Sequence, residues 1–168
     1  VIRTITGWSG TTTSDGAFGL YVLKQGGFQL LDMQSGTSIR TFIPTAFEGD
    51  VISISLITNN DEHAVYYHAA KRTIQVFRLS NGALVGIYKS AVAILDIKSS
   101  YDGHSLLLGT ADGRLVVLVL ADPSDEGSRE RIEALSTRNR RSRKEKAALG
   151  FNAMTRVVHL VAKAKRQK

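Results

Sequence analysis

Four histidines, His63, His68, His104 and His159, are the residues of this sequence best suited to bind metal or move a proton near neutral pH. No pair has the three- or four-residue spacing that sets two imidazoles on one helix face. His63 and His68 are five apart in a segment that reads as a strand, where odd spacing sends side chains to opposite faces. The expectation is therefore structural histidines rather than ligands. Gly7-Trp8-Ser9-Gly10 begins like a nucleophile elbow, but Thr11 stands where the second glycine is required. Gly109–Gly113 has no lysine after it and precedes a strand, so it is no phosphate loop. Asp102 and Asp112 could be drawn as an acid–base pair, yet each precedes a glycine and is better explained by turn chemistry. The chain has no cysteine, which removes disulfides, thiolate metal sites and thiol nucleophiles. Residue types and spacing thus supply no catalytic, cofactor-binding or metal-binding set, and the reading is of a protein that is not an enzyme and needs no cofactor.

Charge is the remaining chemistry. The net charge is +7, but residues 1–123 hold 9 Lys/Arg against 10 Asp/Glu, while residues 124–168 hold 13 against 5. The excess is concentrated in Arg138, Arg140, Arg141, Arg143, Lys144 and Lys146, opposed only by Glu145. Three uses fit such a run: a solvated linker, a nuclear-localisation or nucleic-acid patch, or contact with an anionic lipid or acidic protein. No aromatic side chain interleaves with it, so only phosphate attraction is on offer, without base stacking. Ser142, after Arg140-Arg141, has the setting of a basophilic kinase target. Further on, Phe151, Met154, Val158 and Val161 recur at helical spacing, which predicts a basic amphipathic helix over 147–165. Ser128–Leu135 also has helical character.

The elements that would carry these residues are mostly strands, and they repeat. Asp15-Gly16 and Gln25-Gly26 recur as Asp102-Gly103 and Asp112-Gly113, each shifted by 87. A middle copy at +46 contains Asp61-Glu62 and Lys71-Arg72, and a further shift of 41 reaches the last copy. Gly36 and Gly82 obey the same offset, as do Gln29-Leu30-Leu31, Gln75-Val76-Phe77 and Val116-Val117-Leu118. Turn glycines and aspartates (Asp15, Gly16, Gly26, Gly36, Gly82, Asp102, Gly103, Asp112, Gly113) separate apolar runs, and Asp-Gly is a strong hairpin signal. Successive strands are predicted at 51–57 and 91–97; at 18–24, 63–69 and 105–109; at 28–31, 73–77 and 115–120; and at 38–43 and 83–88. Thr4 to Gly16 reads as a polar loop, with Trp8 in it as a core residue or an interface anchor. After Asp122-Pro123 no strand-like run is expected, because proline donates nothing to a ladder. The chain is thus divided into 1–123, propeller blades, and 124–168, a basic tail with linker and helix. The fold class is all-β: an incomplete β-propeller of about 2.5–3 four-stranded antiparallel blades, with a basic, partly helical tail, whereas closed rings hold roughly four to eight.

These residues resemble the WD-repeat family over residues 1–122. The Trp-Asp that commonly ends the third strand there corresponds to Leu31-Asp32, Phe77-Arg78 and Leu118-Val119, and the turn aspartate survives only as Asp112, with Gln25 and Lys71 in its place. The family's buried Asp–His–Ser/Thr–Trp network is therefore incomplete here. Leu106–Pro123 also resembles the C-terminal propeller end of the NACHT-and-WD-repeat proteins, large signalling ATPases, although none of their nucleotide-binding machinery is present. The resemblance implies a closing segment and a protein–protein interaction scaffold; the rival is a nucleic-acid-associated protein acting through the tail. Partners would be other proteins or the rest of the propeller. No run nears the roughly 20 apolar residues of a membrane span. With no signal peptide and no cysteine, the expected setting is cytoplasmic, or nuclear if the basic tail directs it. A chain opening on Val1 is expected to be part of something larger.

Overall fold

A computed structural model describes residues 8–23, 27–42, 52–121, 126–130, 133 and 153–159 of the 168-residue chain. The described strands form three four-stranded sheets. The first is β1 (Trp8–Thr12), β2 (Phe18–Val22), β3 (Phe28–Asp32) and β4 (Ser38–Phe42), paired antiparallel in chain order. The second repeats it with β5 (Ile52–Ile57), β6 (His63–His68), β7 (Thr73–Arg78) and β8 (Leu84–Lys89). The third holds β9 (Ile94–Ser99), β10 (Ser105–Thr110) and β11 (Leu115–Ala121), with β12 (Ala153–His159) on its outer edge. β1 touches β5, and β5 touches β9, so the first strands of the three blades line up along one side.

Each blade twists at the same places. First and second strands slip register in all three blades, and third and fourth strands slip between Leu30 and Leu31 and again between Val76 and Phe77. Such bulges sharpen the right-handed twist that lets neighbouring blades stack face to face. Stacking decides burial. All six residues of β6 are buried, because blade two has a neighbour on both sides. The equivalent β10 alternates half-buried and buried, because only one of its faces is covered.

Two cores result. Between blades one and two, Leu20, Phe28, Leu30 and Phe42 meet Ile57, Ala64, Tyr66, Phe77 and Leu79. Phe28 lies at the centre, 4.8 Å from the Phe42 ring, 6.0 Å from Tyr66 and 5.7 Å from Phe77. Between blades two and three, Val65, Tyr67, Ile74 and Val76 meet Ile97, Leu106, Leu108 and Leu118. There the Tyr67 hydroxyl accepts the Ile94 amide at 3.0 Å, satisfying a buried donor at the start of β9.

Three expectations are corrected. The segment from Thr4 to Gly16 is not all loop: Trp8–Thr12 is β1. Serine and glycine hide its threonines, which suit a pleated surface once β2 offers a ladder. Second, the amphipathic helix predicted over 147–165 is, between Ala153 and His159, a strand parallel to β11 over seven residue pairs. Thr155, Val157 and Val158 are β-branched, and the outer edge of β11 carries a row of N–H and C=O groups that a helix could not satisfy. The blade that was expected to stop at Pro123 therefore has a fourth strand. Parallel pairing demands a crossover connection, and the residues linking β11 to β12, which include the helical residues 126–130, supply its length. Third, the offsets of 46 and 41 fail by one residue at the first turn. In the turn before the second strand, Thr13, Thr58 and Ser100 are equivalent, at shifts of 45 and 42. Blade two spends the extra residue in its next turn, between Tyr67 and Ile74.

The strand β12 has a direct consequence. A chain ended before Ala153 should expose the β11 edge, so that amides of 115–121 exchange faster with deuterium and the protein aggregates more readily. Unchanged protection along β11 would show that β12 does not hold it.

Candidate interaction surface

The turns joining first to second strands are built from one recipe. Thr13, Thr58 and Ser100 each use a hydroxyl to accept the amide five residues on, from Phe18, His63 and Ser105, at 2.9–3.0 Å. The same hydroxyls donate to Asp15, Asn60 and Asp102 at 2.5–2.7 Å. The next residue has positive φ in every copy: Gly16 at 70°, Asp61 at 56° and Gly103 at 72°. Threonine or serine, then any residue, then Asp/Asn and a left-handed residue, closes the turn on itself.

The free choice is the second position, which reads Ser14, Asn59 and Tyr101. Ser14 donates its amide to Asp61 at 2.9 Å, and its hydroxyl reaches the same carboxylate. Asn59 donates its amide to the Ser99 hydroxyl at 3.1 Å and its side-chain N–H to the Ser100 carbonyl at 2.9 Å. Each turn tip thereby grips the turn of the following blade. Tyr101, in the last copy, is 98% exposed. Together with Thr12, Ser14, Ile57, Thr58, Asn59 and Asp61 it lines a groove of about 440 Å³ across the blade ends. The lining is three hydroxyls, one amide, one carboxylate, the aliphatic Ile57 and one exposed ring, a set suited to hydrogen bonding and aromatic anchoring.

The other turn residues hold backbone. Asp32 accepts the Gln34 and Ser35 amides at 2.9 and 2.8 Å, and Gly36 at φ 68° closes the turn to β4. Gly82 at φ 72° does the same before β8. Asp112 accepts the Thr110 hydroxyl, and Gly113 lies at φ 75°. The Thr110 hydroxyl, with a smaller contribution from Arg114 3.2 Å away, holds the Asp112 carboxyl below its usual range. Asp15 is lowered likewise, first by Thr13 and then by the Ala17 amide. Asp102 and Asp112 sit at different turns, each bound to its own hydroxyl, so the acid–base pair does not form. Gly26 lies outside the described residues, as do Arg138, Arg140, Arg141, Arg143, Lys144 and Lys146. The Trp8 backbone pairs with Tyr21; its side chain is outside the described set.

His63 and His68 are buried at opposite ends of β6. His68 Nδ1 accepts the Lys71 amide at 3.1 Å and so braces the longer turn of blade two. Among the described residues no group of three or more His, Asp or Glu is arranged to hold a metal. No described helix is long and apolar enough to cross a membrane.

Burial lowers the His63 pKa, Glu62 opposes the shift, and Arg78 and His104 add to it. The unfolded chain therefore takes up this proton at higher pH than the folded one, and stability must fall as pH drops through about 6.5 toward the folded value. Melting temperatures measured from pH 7.5 to 5.5 should fall more for the wild type than for His63→Gln. Parallel curves would remove His63 from the explanation.

Consecutive four-stranded sheets whose first strands align and whose faces stack define a β-propeller segment, the third completed by a parallel outer strand. More particularly, the family model described as the NWD2 C-terminal beta-propeller matches residues 1–120, and the chain belongs to that family. No curated protein matches the chain.

Proposed function

We propose that the chain is a non-catalytic protein-binding scaffold, part of a larger intracellular protein with a signalling or scaffolding role. The observation that carries this reading is the groove across the blade ends, rimmed by the exposed ring of Tyr101. Tyrosine is a favoured anchor at protein interfaces, because it buries much area for little lost freedom and keeps a polar tip. The turn frame beneath it is closed by its own hydrogen bonds, so a partner meets a surface that is already organised. Its polar groups are engaged with one another: Asp61 with Ser14, and Asn59 with Ser99 and Ser100. That arrangement favours recognition over proton transfer.

A photoreactive phenylalanine analogue at position 101, introduced in cells, tests this. The expected result is a discrete cross-linked protein that is absent when the analogue sits at exposed Ile87 on β8. Equal labelling at both positions, or adducts to nucleic acid alone, would contradict the scaffold reading and favour association through the basic run.

A further inference from the structure

The groove crosses from the turn of blade two to the turn of blade three, and a buried histidine closes the first of them. The His63 amide donates to the Thr58 hydroxyl at 3.0 Å, and its carbonyl accepts the Thr58 amide at 2.9 Å. Thr58, Asn59 and Asp61 of the same turn line the groove. Along β6, Val65 and Tyr67 belong to the seam with blade three, and alternation sets His63 on that face. The residue is 6% exposed. Its Nδ1 is shut off from solvent and has no hydrogen-bond partner among the described residues, while a Glu62 carboxylate oxygen stands 4.0 Å away.

A neutral ring tolerates this place, and a charged one does not. The charged and titratable groups that face it are Glu62 beside it in the chain, Arg78 across the ladder on β7, and His104 on the turn of blade three. Arg78 repels a second cation, and so does a protonated His104. The Glu62 carboxylate is mostly in solvent, where it offsets little. Asp102, on the same turn as His104, is committed to the Ser100 hydroxyl and the His104 amide. Keeping an imidazolium buried there costs more than letting it reach water. Few bonds join the two turns at this point: the Asn59 amide to the Ser99 hydroxyl, and its side chain to the Ser100 carbonyl. Such contacts at exposed turns belong to the low-stability end of a fold.

We propose that His63 is an acid-sensitive latch of the groove: on taking up a proton it parts the turns of blades two and three, draws Tyr101 away from Asn59 and Asp61, and releases what is bound between them. The release rests on the groove being the binding surface; the parting of the turns does not. The direction follows from linkage, since the open form takes the proton at higher pH than the closed one. The opening constant then grows about tenfold by one unit below the ordinary histidine value of about 6.5.

NMR of the 168-residue chain between pH 7.5 and 5.5 tests the latch, with His63→Gln and His104→Gln as variants. In the wild type, the Asn59 backbone and side-chain amide signals should move with the same midpoint as the His63 ring, as their bonds to blade three are lost. His63→Gln should hold them still, and His104→Gln should keep most of the movement. Should His63→Gln unfold, the common midpoint within the wild type decides alone. Separate midpoints, no movement in the wild type, or movement that persists in His63→Gln overturns the proposal. The release is read at position 101. The discrete adduct formed there at pH 7.5 should fall about threefold or more at pH 5.5 when His63 is present, and stay level in His63→Gln. An adduct undiminished at pH 5.5 with His63 present overturns the release. No adduct at either pH removes the scaffold reading, and the titration of Asn59 still decides the latch.

Discussion

Gly103→Ala is expected to lower unfolding free energy by about 2–5 kcal/mol, while the same change at Gly16 or Gly113 costs about 1–2. All three glycines have φ near 70–75°, where an ordinary residue gives up about 1–2 kcal/mol. They differ in what a methyl group would meet. At Gly16 and Gly113 nothing lies within 4 Å, but at Gly103 the new carbon would fall 2.6 Å from the Asn60 backbone nitrogen and into the Asn60 side chain. Asn60 belongs to the turn of the preceding blade, so the clash falls on a blade-to-blade contact, and forcing atoms into such a packed place adds about 1–3 kcal/mol. Blade two already carries a non-glycine, Asp61, at this turn position, which shows that the conformation alone is tolerable. Urea midpoints for the three variants check the ranking. Equal losses would mean that the turn contacts between blades contribute little.

The second large effect is expected for Phe28→Ala, at about 3–5 kcal/mol, the usual range for deleting a fully buried phenylalanine. Phe28 has no exposed surface and packs on Phe42 of its own blade and on Tyr66 and Phe77 of the next. Truncation leaves a cavity in the first seam and spares the second, which is made of other residues. Hydrogen exchange should consequently rise along β1 to β4 well before it rises along β9 to β11. Ile87→Ala is the control: the side chain is 53% exposed, and its loss should fall within about 0.5 kcal/mol. Uniform acceleration across all three blades would show that the stack unfolds as one unit.

Much of this architecture was legible because turns dictate residue types. Positive φ favours glycine, aspartate or asparagine, and such residues recur at Gly16, Asp61 and Gly103, although Arg72 also lies at φ 53°. Strands β2 to β11 follow from apolar runs between those turns, with ends displaced by one to three residues. What escaped was whatever depended on a neighbour. Trp8–Thr12 is a strand because β2 pairs with it, and Ala153–His159 is a strand because β11 offers an edge. Methionine and valine at spacing four suit a helix as well as a β-branched run suits a strand, and only the waiting edge decides. The groove was legible in part. Once the repeats are aligned at 45 and 42, Ser14, Asn59 and Tyr101 stand out as the varying tip of a constant turn. The one-residue misalignment through blade two concealed this, placing Asp61-Glu62, rather than Asn60-Asp61, opposite Asp15-Gly16.

The crossover also changes how groove and basic run are to be separated. Removing 124–168 would take β12 from the third blade along with the charges. Neutralising Arg138, Arg140, Arg141, Arg143, Lys144 and Lys146 to glutamine leaves the strand in place. The most direct test is therefore the affinity of the protein cross-linked at position 101 for three chains: wild type, Tyr101→Ala and the neutralised form, each at 50 and 200 mM salt. A scaffold working through the blade ends should lose about thirtyfold or more in affinity with Tyr101→Ala, about 2 kcal/mol or more at an anchor residue. The neutralised chain should bind as the wild type does, with little change between the two salt concentrations. Full binding by Tyr101→Ala, together with loss on neutralisation and a steep dependence on salt, would contradict it.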